Sequence, residues 1–457
     1  MRQNQIDDQH KIEVEIQDIG DEGEGIGRVE GMAIFVPGAL PGDKVLCQLV
    51  EQKKNYAKAK LLKIITASKK RVTPPCSIFE RCGGCQIQNF DYAAQLELKQ
   101  NNVENTLMRL GKFDNLKINP ILGMETPYRY RNKGFYQVQG TSQSPLIGFY
   151  AGHSHTVVDA IDCLIQPTAN REINQVIKAY MKSFGVEPYN PRTGKGIIKS
   201  VMIRHSETTG EIMVVLTTAT SKLNMWKALT KNLIEAVPNI VSVMQSIHPG
   251  SNMKGLGDEN RCLYGKNTIL DQIGNLKFEI AAPSFYQVNS KQTERLYSKA
   301  LELAALTGSE NVFELYSGTG TISLFLASKA KHVYGVEIVP EAIENAKENA
   351  IKNGIQNVTF VLGSAEVETQ KLYEAGEKAD VVVVDPPRAG CDIKVIETIL
   401  KMAPQKIVYI SCKPSTLARD MMRLCETGQY KPIEIQPVDV FCHTAHVETV
   451  VLLEKIL

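Results

Sequence analysis

A chain of 457 residues is too long for one ordinary hydrophobic core, and its length predicts two to four domains. With 43% hydrophobic and 22% charged residues, no apolar run of membrane-spanning length and a polar N-terminus, the composition excludes membrane-spanning and secreted classes and predicts a cytoplasmic globular protein whose cysteines are mostly reduced. The formal net charge of +2 at pH 7 decides little, because nucleic-acid-binding proteins can be neutral overall and polarised locally.

Residues 11–66 predict a small N-terminal barrel of five short strands, because alternating segments are separated by glycine-rich turns. Many barrels of this OB-like kind bind oligonucleotides, whereas others are only structural modules. Between residues 44 and 71, nine Lys or Arg accompany a single acid, Glu51. This basic run suits RNA, but a lysine-rich strand edge also protects against aggregation, so the run alone favours neither role. Residues 72–75 predict a linker.

A cysteine cluster opens the middle region. Cys76, Cys82 and Cys85 place three thiols within ten residues, a density typical of metal ligands. Four cysteines can bind zinc or a four-iron cluster, and the spacing is unlike the paired Cys-x2-Cys of a zinc ribbon. An amphipathic helix is predicted at residues 92–110, and a pair of strands within residues 198–219.

Cations alternate with aromatic side chains in residues 128–136. Arg129, Arg131 and Lys133 are interleaved with tyrosines, an arrangement that suits phosphate contacts combined with base stacking. We predict that these three cations contact RNA. The alternative is an exposed strand whose aromatic side chains pack inward.

From residue 292 onward, strands and helices alternate, which predicts an α/β domain with a parallel sheet covered on both faces. The predicted strands are residues 311–316, 332–337, 357–363, 380–385, 406–411 and 447–454, and the two clearest helices are residues 321–330 and 340–354. Ligands of such sheets bind beyond the carboxyl ends of the strands.

Three motifs at those strand ends indicate a nucleotide cofactor. Gly318 and Gly320 form a turn that lets the backbone approach a ligand beneath a helix N-terminus, and Glu337 ends the next strand, where a carboxylate can accept ribose hydroxyls. Asp385 begins a rigid Asp-Pro-Pro loop after the fourth strand. In this order the motifs predict a class I Rossmann-like S-adenosylmethionine methyltransferase. A dehydrogenase, which would need a third glycine where Ser323 stands, and a non-catalytic Rossmann module are the alternatives.

The fifth strand delivers Cys412 just before a helix and beside Lys413, so we expect its thiolate to be favoured. A thiolate is what methylation of uracil carbon 5 requires, because its addition at carbon 6 makes carbon 5 nucleophilic. A base must then remove the carbon-5 proton, and Glu448, which leads the last strand, is the best candidate.

Other thiols compete for the nucleophile's role. Cys391 and Cys442 lie in comparable loops, and a cysteine near a strand end is more often a small buried hydrophobe. The order of motifs favours Cys412, because cytosine-5 RNA methyltransferases carry their cysteine inside the proline loop and amino-methylases need no cysteine.

Four stretches together resemble the RNA uracil-5 methyltransferase family across nearly the whole chain. They are residues 285–289 (Phe-Tyr-Gln-Val-Asn), 385–388 (Asp-Pro-Pro-Arg), 411–416 (Ser-Cys-Lys-Pro-Ser-Thr) and 443–448 (His-Thr-Ala-His-Val-Glu). The resemblance implies a TRAM-type barrel, a central α+β iron-sulfur domain and a methyltransferase domain, which we place at residues 1–66, 67–288 and 289–457.

The resemblance also implies roles for single residues. The matches to Gln287, Tyr316, Glu337 and Asp385 contact S-adenosylmethionine, the match to Cys412 is the nucleophile, and the match to Glu448 accepts the proton. It makes Cys163 the fourth ligand of a [4Fe–4S] cluster, with a structural or RNA-positioning role. One departure is Cys442, where the family's pattern has proline.

The implied substrate is 23S ribosomal RNA, and neither a membrane nor an obligate protein partner is indicated. A transfer-RNA uracil-5 methyltransferase of the same mechanism, and a non-catalytic RNA-binding or ribosome-assembly factor that keeps the fold, are the alternatives.

Overall fold

The computed structural model of the protein describes residues 11–253 and 255–456, so residues 1–10 and Leu457 of the predicted outer domains lie outside the described residues. Within this part of the chain, no helix is long and apolar enough to cross a membrane. Three sheets and a hairpin follow one another along the chain: a barrel, a central seven-stranded sheet, the hairpin and a second seven-stranded sheet.

The barrel is the closed five-stranded one that the sequence predicts, with strand order β1-β2-β3-β5-β4. Its strands are β1 (Lys11–Ile19), β2 (Gly25–Val29), β3 (Met32–Val36), β4 (Lys44–Gln52) and β5 (Tyr56–Thr66). Alternate side chains such as Val14 and Ile16 fill its interior. At one end, Ile19 and Leu40 pack against Ile87 and its neighbours, so the barrel is docked onto the cysteine-rich segment.

The central part begins with helix α1 (Tyr92–Arg109), which confirms the predicted helix. Asp91 starts it, because its carboxylate accepts the backbone N–H groups of Ala93 and Ala94. A sheet of order β12-β11-β10-β9-β6-β7-β8 follows, with two helices packed on it. Its elements are β6 (Lys133–Gly140), β7 (Pro145–Tyr150), β8 (Val157–Asp159), α2 (Ala169–Phe184), β9 (Ile198–His205), β10 (Ile212–Thr218), α3 (Trp226–Ala236), β11 (Ile240–Ile247) and β12 (Glu259–Gly265).

The predicted strand pair is confirmed as the antiparallel neighbours β9 and β10. A hairpin, β13 (Thr268–Ile273) and β14 (Leu276–Ala281), then leads toward the last domain. The hairpin packs into the same apolar core as the last sheet, so the central part and the last domain are joined by a continuous interior.

The last domain has the predicted α/β alternation. Its elements are α4 (Ser290–Ala304), β15 (Asn311–Leu315), α5 (Thr321–Ala327), β16 (His332–Glu337), α6 (Pro340–Lys352), β17 (Val358–Leu362), α7 (Ala365–Glu374), β18 (Val381–Val384), α8 (Ile393–Met402), β19 (Lys406–Ser411), α9 (Pro414–Cys425), β20 (Tyr430–Val438) and β21 (Glu448–Lys455). The strand order is β17-β16-β15-β18-β19-β21-β20, and strands β15 to β19 are parallel.

Two features of this sheet correct the sequence analysis. The last strand, β21, is antiparallel to both neighbours, so the sheet is mixed and not wholly parallel. Strand β20 was not predicted, because Pro432 and Pro437 within it indicate a loop. It is the edge strand, where a missing N–H does not interrupt the sheet.

Candidate active site

The glycine turn after β15 lies against the end of β16, as predicted. The Gly318 N–H donates to Oε2 of Glu337 at 2.9 Å, which ties the turn to the predicted ribose acid. Gly320 has a φ of 76°, and a Cβ there would lie 2.8 Å from the Phe360 ring. Tyr316 also has a positive φ, 70°, although it is not a glycine. Position 320 therefore requires glycine, because of its positive φ and because a side chain there would collide with Phe360.

The predicted Gln287 lies beside this turn. Its segment runs past the turn, with the hydroxyl of Thr319 donating to the carbonyl of Phe285 at 3.5 Å. Asn132 of the central part fixes the same segment by donating from Nδ2 to the Gln287 carbonyl at 2.9 Å. The Phe285 side chain remains 67% exposed. The structure thus brings together the predicted cofactor residues of the loop, the turn and β16.

Two carboxyl groups lie under the glycine turn and at the end of β18. Asp385 keeps some surface accessibility but is surrounded by protein, and burial raises its pKa to about 7. Glu314 is fully buried and accepts a hydrogen bond from Ser323 at Oε2, while its Oε1 has no hydrogen-bond partner among the described residues. Burial and the charges of Asp385 and Glu337 raise the pKa of Glu314 to about 8, against the lowering effect of Ser323.

Glu314 was not singled out in the sequence analysis. The signal was present, because it is an acid in the middle of an apolar strand, Val-Phe-Glu-Leu, where a charged side chain needs a partner. The buried carboxyl of Glu314, which has one unpartnered oxygen, lies near a second carboxyl at Asp385. Two neighbouring acids favour a nearby positive charge.

Cys412 and Glu448 meet at the end of β19. The antiparallel register of β19 and β21 pairs Ser411 with Thr449, which sets Cys412 opposite Glu448 on the neighbouring strand. Glu448 is 4% exposed and Cys412 is half-buried. Burial and the charge of Asp385 raise the pKa of Glu448 to about 8, and Arg388 acts in the opposite direction.

The prediction that the Cys412 thiolate is favoured is wrong for this structure. Burial, and after it the charges of Glu448 and Asp385, raise the pKa of Cys412 to about 11. Lys413 gives no compensation, because its ammonium is directed to Asp21 of the barrel, 3.8 Å away. The guanidinium of Arg388 is the nearby cation that lowers the pKa of Cys412.

The competing thiols are less accessible than Cys412. Cys391 is 4% exposed, and burial raises its pKa to about 12. Cys442 is fully buried, with its Sγ 3.6 Å from the hydroxyl of Tyr92. Of these three cysteines, Cys412 is the least buried, and it is the one whose pKa is raised by the charges of Glu448 and Asp385.

The four cysteines of the predicted cluster approach one another. Burial raises the pKa of the Cys85 thiol, and the charges of Cys163, Cys82 and Cys76 each add to that effect. Cys85 and Cys163 also pack against the same small buried cluster, which contains Tyr130, Ile165 and Cys442. In the described part of the chain, however, no three metal-binding side chains are arranged as a ready ligand set. The thiols are therefore neighbours that are not gathered around one centre.

Arg129 is occupied by contacts within the protein. Its guanidinium forms a bidentate pair with Asp162, at 2.7 and 3.0 Å, and Nη1 also donates to the carbonyls of Cys163 and Gln166. These bonds brace the turn that carries Cys163. An RNA contact by Arg129 would compete with them, so its RNA-binding role stays a prediction that the structure does not favour.

Arg131 and Lys133 have fewer internal partners. Burial, and then the charges of Arg204 and Arg131, lower the pKa of Lys133 to about 7. The neighbouring Tyr130 and Tyr136 are buried, so for these rings the inward-packing alternative holds. RNA contact by Arg131 and Lys133 stays a prediction.

Known proteins resemble this chain in sequence and in structure. A model of the tRNA (uracil-5-)-methyltransferase family matches residues 91–456, and a model of the TRAM domain matches residues 10–62. The chain is 45% identical to an uncharacterized RNA methyltransferase of Halalkalibacterium halodurans, over 97% of this chain and 96% of the relative. It is 48% identical to another from Clostridium tetani, over 96% and 95%.

One solved structure resembles the protein over its whole length. It is the Pyrococcus abyssi tRNA (uracil-54, C5)-methyltransferase in complex with S-adenosyl-L-homocysteine, with a TM-score of 0.77 and 26% identity. The likeness covers 97% of this chain and 100% of that chain.

Proposed function

This chain belongs to the tRNA (uracil-5-)-methyltransferase family, and from that membership we propose that it methylates carbon 5 of a uridine in 23S ribosomal RNA through a covalent adduct with Cys412. The observation that carries the mechanism is the juxtaposition of Cys412 and Glu448 across adjacent strands, near Asp385.

S-adenosylmethionine supplies an electrophilic methyl group when it is bound. The residues fit it, because Glu337 and the glycine turn offer a place for a ribose and the neighbouring carboxyl groups of Glu314 and Asp385 favour a nearby cation. We assign Gln287, Tyr316, Gly318, Gly320, Glu337 and Asp385 to cofactor binding. Glu314 joins them as a buried acid that the sequence analysis did not single out.

Cys412 acts on the pyrimidine. Its thiolate bonds to carbon 6 of uracil, and the electron pair of the carbon 5–carbon 6 double bond moves toward carbon 5. Carbon 5 would then bond to the methyl group, and the electrons of the broken carbon–sulfur bond would stay on the donor's sulfur. Arg388 assists, because it is the cation that lowers the pKa of Cys412. Glu448 then removes the proton from carbon 5, and the electrons of that bond re-form the double bond and expel the Cys412 thiolate.

The raised pKa of Glu448 suits a general base. A carboxylate whose conjugate acid has a pKa of about 8 is a stronger base than an exposed glutamate, and it operates near neutral pH. Glu448 is also buried, so water does not compete with the substrate for its oxygens. These properties support Glu448 as the proton acceptor.

We propose that Cys76, Cys82, Cys85 and Cys163 hold a [4Fe–4S] cluster. The mutual approach of four thiols supports it, and thiolates are the ligands that iron-sulfur clusters use. The cysteines must close around the metal, because they do not form a ready ligand set in the described residues. The proposed methyl transfer has no redox step, so the role assigned to the cluster is structural.

Transfer RNA is the second candidate substrate. The solved relative from Pyrococcus abyssi is described as acting on uracil 54 of tRNA. The attached barrel and the four cysteines support ribosomal RNA instead, through the family resemblance. A non-catalytic RNA-binding protein would not require Cys412 and Glu448 to meet as they do.

Mapping 5-methyluridine in RNA from a deletion strain separates these candidates. We expect one or more sites in 23S ribosomal RNA to lose the modification, and wild-type protein but not Cys412→Ala to restore it. Loss of 5-methyluridine confined to transfer RNA would show that transfer RNA, and not 23S ribosomal RNA, is the substrate. Full restoration by Cys412→Ala would contradict the covalent mechanism.

A further inference from the structure

The segment between β20 and β21 leads directly to Glu448, and its first five residues are held by long-range hydrogen bonds. Five consecutive backbone carbonyls, residues 439–443, each accept a hydrogen bond from a group far away in the sequence. The bonds run from Gln292 Nε2 to Asp439 (3.1 Å), from Asn289 Nδ2 to Val440 (3.0 Å), from Lys99 Nζ to Phe441 (3.0 Å), from Tyr130 Oη to Cys442 (3.0 Å), and from the N–H groups of Gln86 and Ile87 to His443 (3.0 and 3.1 Å).

The side chain that begins this segment is part of a buried ion pair. Lys99 Nζ lies 2.5 Å from Oδ1 of Asp439, and the two side chains are 1% and 0% exposed. Tyr92 donates its hydroxyl to the other carboxylate oxygen at 2.7 Å. A buried ion pair adds little net stability compared with apolar residues, but its directional bonds fix relative position.

The backbone conformation shows that the segment needs these bonds. His443 has a φ of 65°, a conformation that residues with a side chain rarely adopt and that persists where the surroundings impose it. Gln95 of α1 adds two further contacts to His443, at its backbone N–H and its ring. The imposed conformation sits five residues before Glu448.

Strand β20 also helps to fix the position of Glu448. Val438, which immediately precedes Asp439, is the direct cross-strand partner of Glu448. The donors at Gln86, Lys99 and Tyr130 come from outside the last domain, on the segment that begins with the cysteines. The catalytic strand is thus held at its entry by parts of the protein that have no role in cofactor binding.

We propose that Lys99, together with Tyr92 and Tyr130, is a positioning residue for the proton-removal step. It fixes residues 439–443 and thereby the carboxylate of Glu448 over carbon 5 of the uridine. Lys99 touches no reacting atom. This inference rests on the proposed function and adds residues from α1 and the cysteine-rich segment to the elimination step.

The test compares two buried tyrosines. Tyr130→Phe removes only the hydroxyl that donates to the Cys442 carbonyl. Tyr430→Phe is the matched control, because Tyr430 is equally buried and donates to the Pro404 carbonyl at 2.8 Å, at the far end of β20. The purified full-length variants are compared in melting temperature, Kd for S-adenosylmethionine, kcat, and the fraction of enzyme in a covalent RNA adduct on a denaturing gel.

We expect the two variants to lose similar thermal stability and to bind S-adenosylmethionine within about twofold of wild type, since each leaves one buried carbonyl unpaired. Tyr130→Phe should lower kcat at least about fivefold and raise the adduct fraction, because a displaced base slows elimination more than addition. Tyr430→Phe should change neither. The double variant Lys99→Met, Asp439→Asn, which removes the ion pair without leaving a lone buried charge, should behave like Tyr130→Phe.

An active wild type in which Tyr130→Phe and Tyr430→Phe behave alike would overturn the positioning role alone. A loss of kcat without accumulation of adduct would also overturn it, since general destabilisation gives that result. A wild type that methylates no RNA and forms no adduct would overturn both the proposed function and this inference.

Discussion

Replacing Glu448 by Gln separates the steps of the proposed reaction. Glutamine keeps the shape of the side chain and removes its charge and its basicity. The charge of Glu448 is the largest contribution after burial to the raised pKa of Cys412. Its removal does not disfavour the thiolate, so adduct formation and methylation should proceed while the carbon-5 proton cannot leave.

The size of the effect can be worked out from the ionisation of Glu448. With a pKa of about 8, about one-tenth of the wild-type side chain is ionised at pH 7, because each pH unit below the pKa changes the ratio tenfold. A positioned general base contributes roughly 10²- to 10⁴-fold. Elimination in Glu448→Gln should consequently slow by at least about tenfold at pH 7, even after the low ionised fraction is taken into account.

The assay is a denaturing gel of enzyme incubated with RNA and S-adenosylmethionine. Glu448→Gln should leave a slow-migrating protein–RNA band that requires S-adenosylmethionine, and the double variant Cys412→Ala, Glu448→Gln should leave none. Normal turnover by Glu448→Gln with no trapped band would refute the role of Glu448 as base. Another acceptor, such as water or His446, would then take the carbon-5 proton.

Two further predictions concern cysteines. Cys412→Ala should abolish methylation while the Kd for S-adenosylmethionine, measured by calorimetry, stays within about twofold of wild type; full activity in Cys412→Ala together with loss in Cys391→Ala would show that the other thiol is the nucleophile. Protein purified without oxygen should be brown and contain about four iron atoms, the number expected for a four-cysteine cluster, and Cys82→Ser should bleach it; stoichiometric zinc without iron, measured by elemental analysis, would contradict the cluster.

The fold could be predicted from local patterns where those patterns are strong. The four consecutive valines of β18 indicate a strand and nothing else. The pattern of α1, with Asp91 at its start, likewise indicates only a helix. Strand β20 could not be predicted, because the two prolines in it are tolerated only at a sheet edge. Edge position is a property of the assembled sheet and is not visible in the residues of one strand.

The residues of the candidate site could be proposed from the sequence, but their pKa values could not. Motif order identified Cys412 and Glu448, and the register of two strands brings them together. The ionisation of Cys412 could not be predicted, because a lysine next in sequence need not be next in space. Lys413 is directed toward Asp21 of the barrel, nearly 400 residues earlier. The Cys412 pKa is raised most by burial, and after it by Glu448 and Asp385, which are distant in sequence.

The acids around Cys412 imply that the charge of a bound ligand affects the pKa of the thiol. Burial, and after it the charges of Glu448 and Asp385, raise the pKa of Cys412 to about 11, so at pH 7 the thiolate is a fraction on the order of 10⁻⁴. A positive charge near Asp385 would lower that pKa, since it favours the thiolate. The sulfonium of S-adenosylmethionine carries such a charge, and the thioether of S-adenosylhomocysteine does not.

We therefore expect the midpoint of the pH–rate profile for alkylation of Cys412 by iodoacetamide to fall when S-adenosylmethionine is added to the Cys391→Ala variant. S-adenosylhomocysteine, which has nearly the same shape and shields the thiol to a similar extent, should leave the midpoint unchanged. Equal midpoints with the two ligands would show that the charge of the cofactor does not change the pKa of Cys412. Arg388 alone must then favour the thiolate.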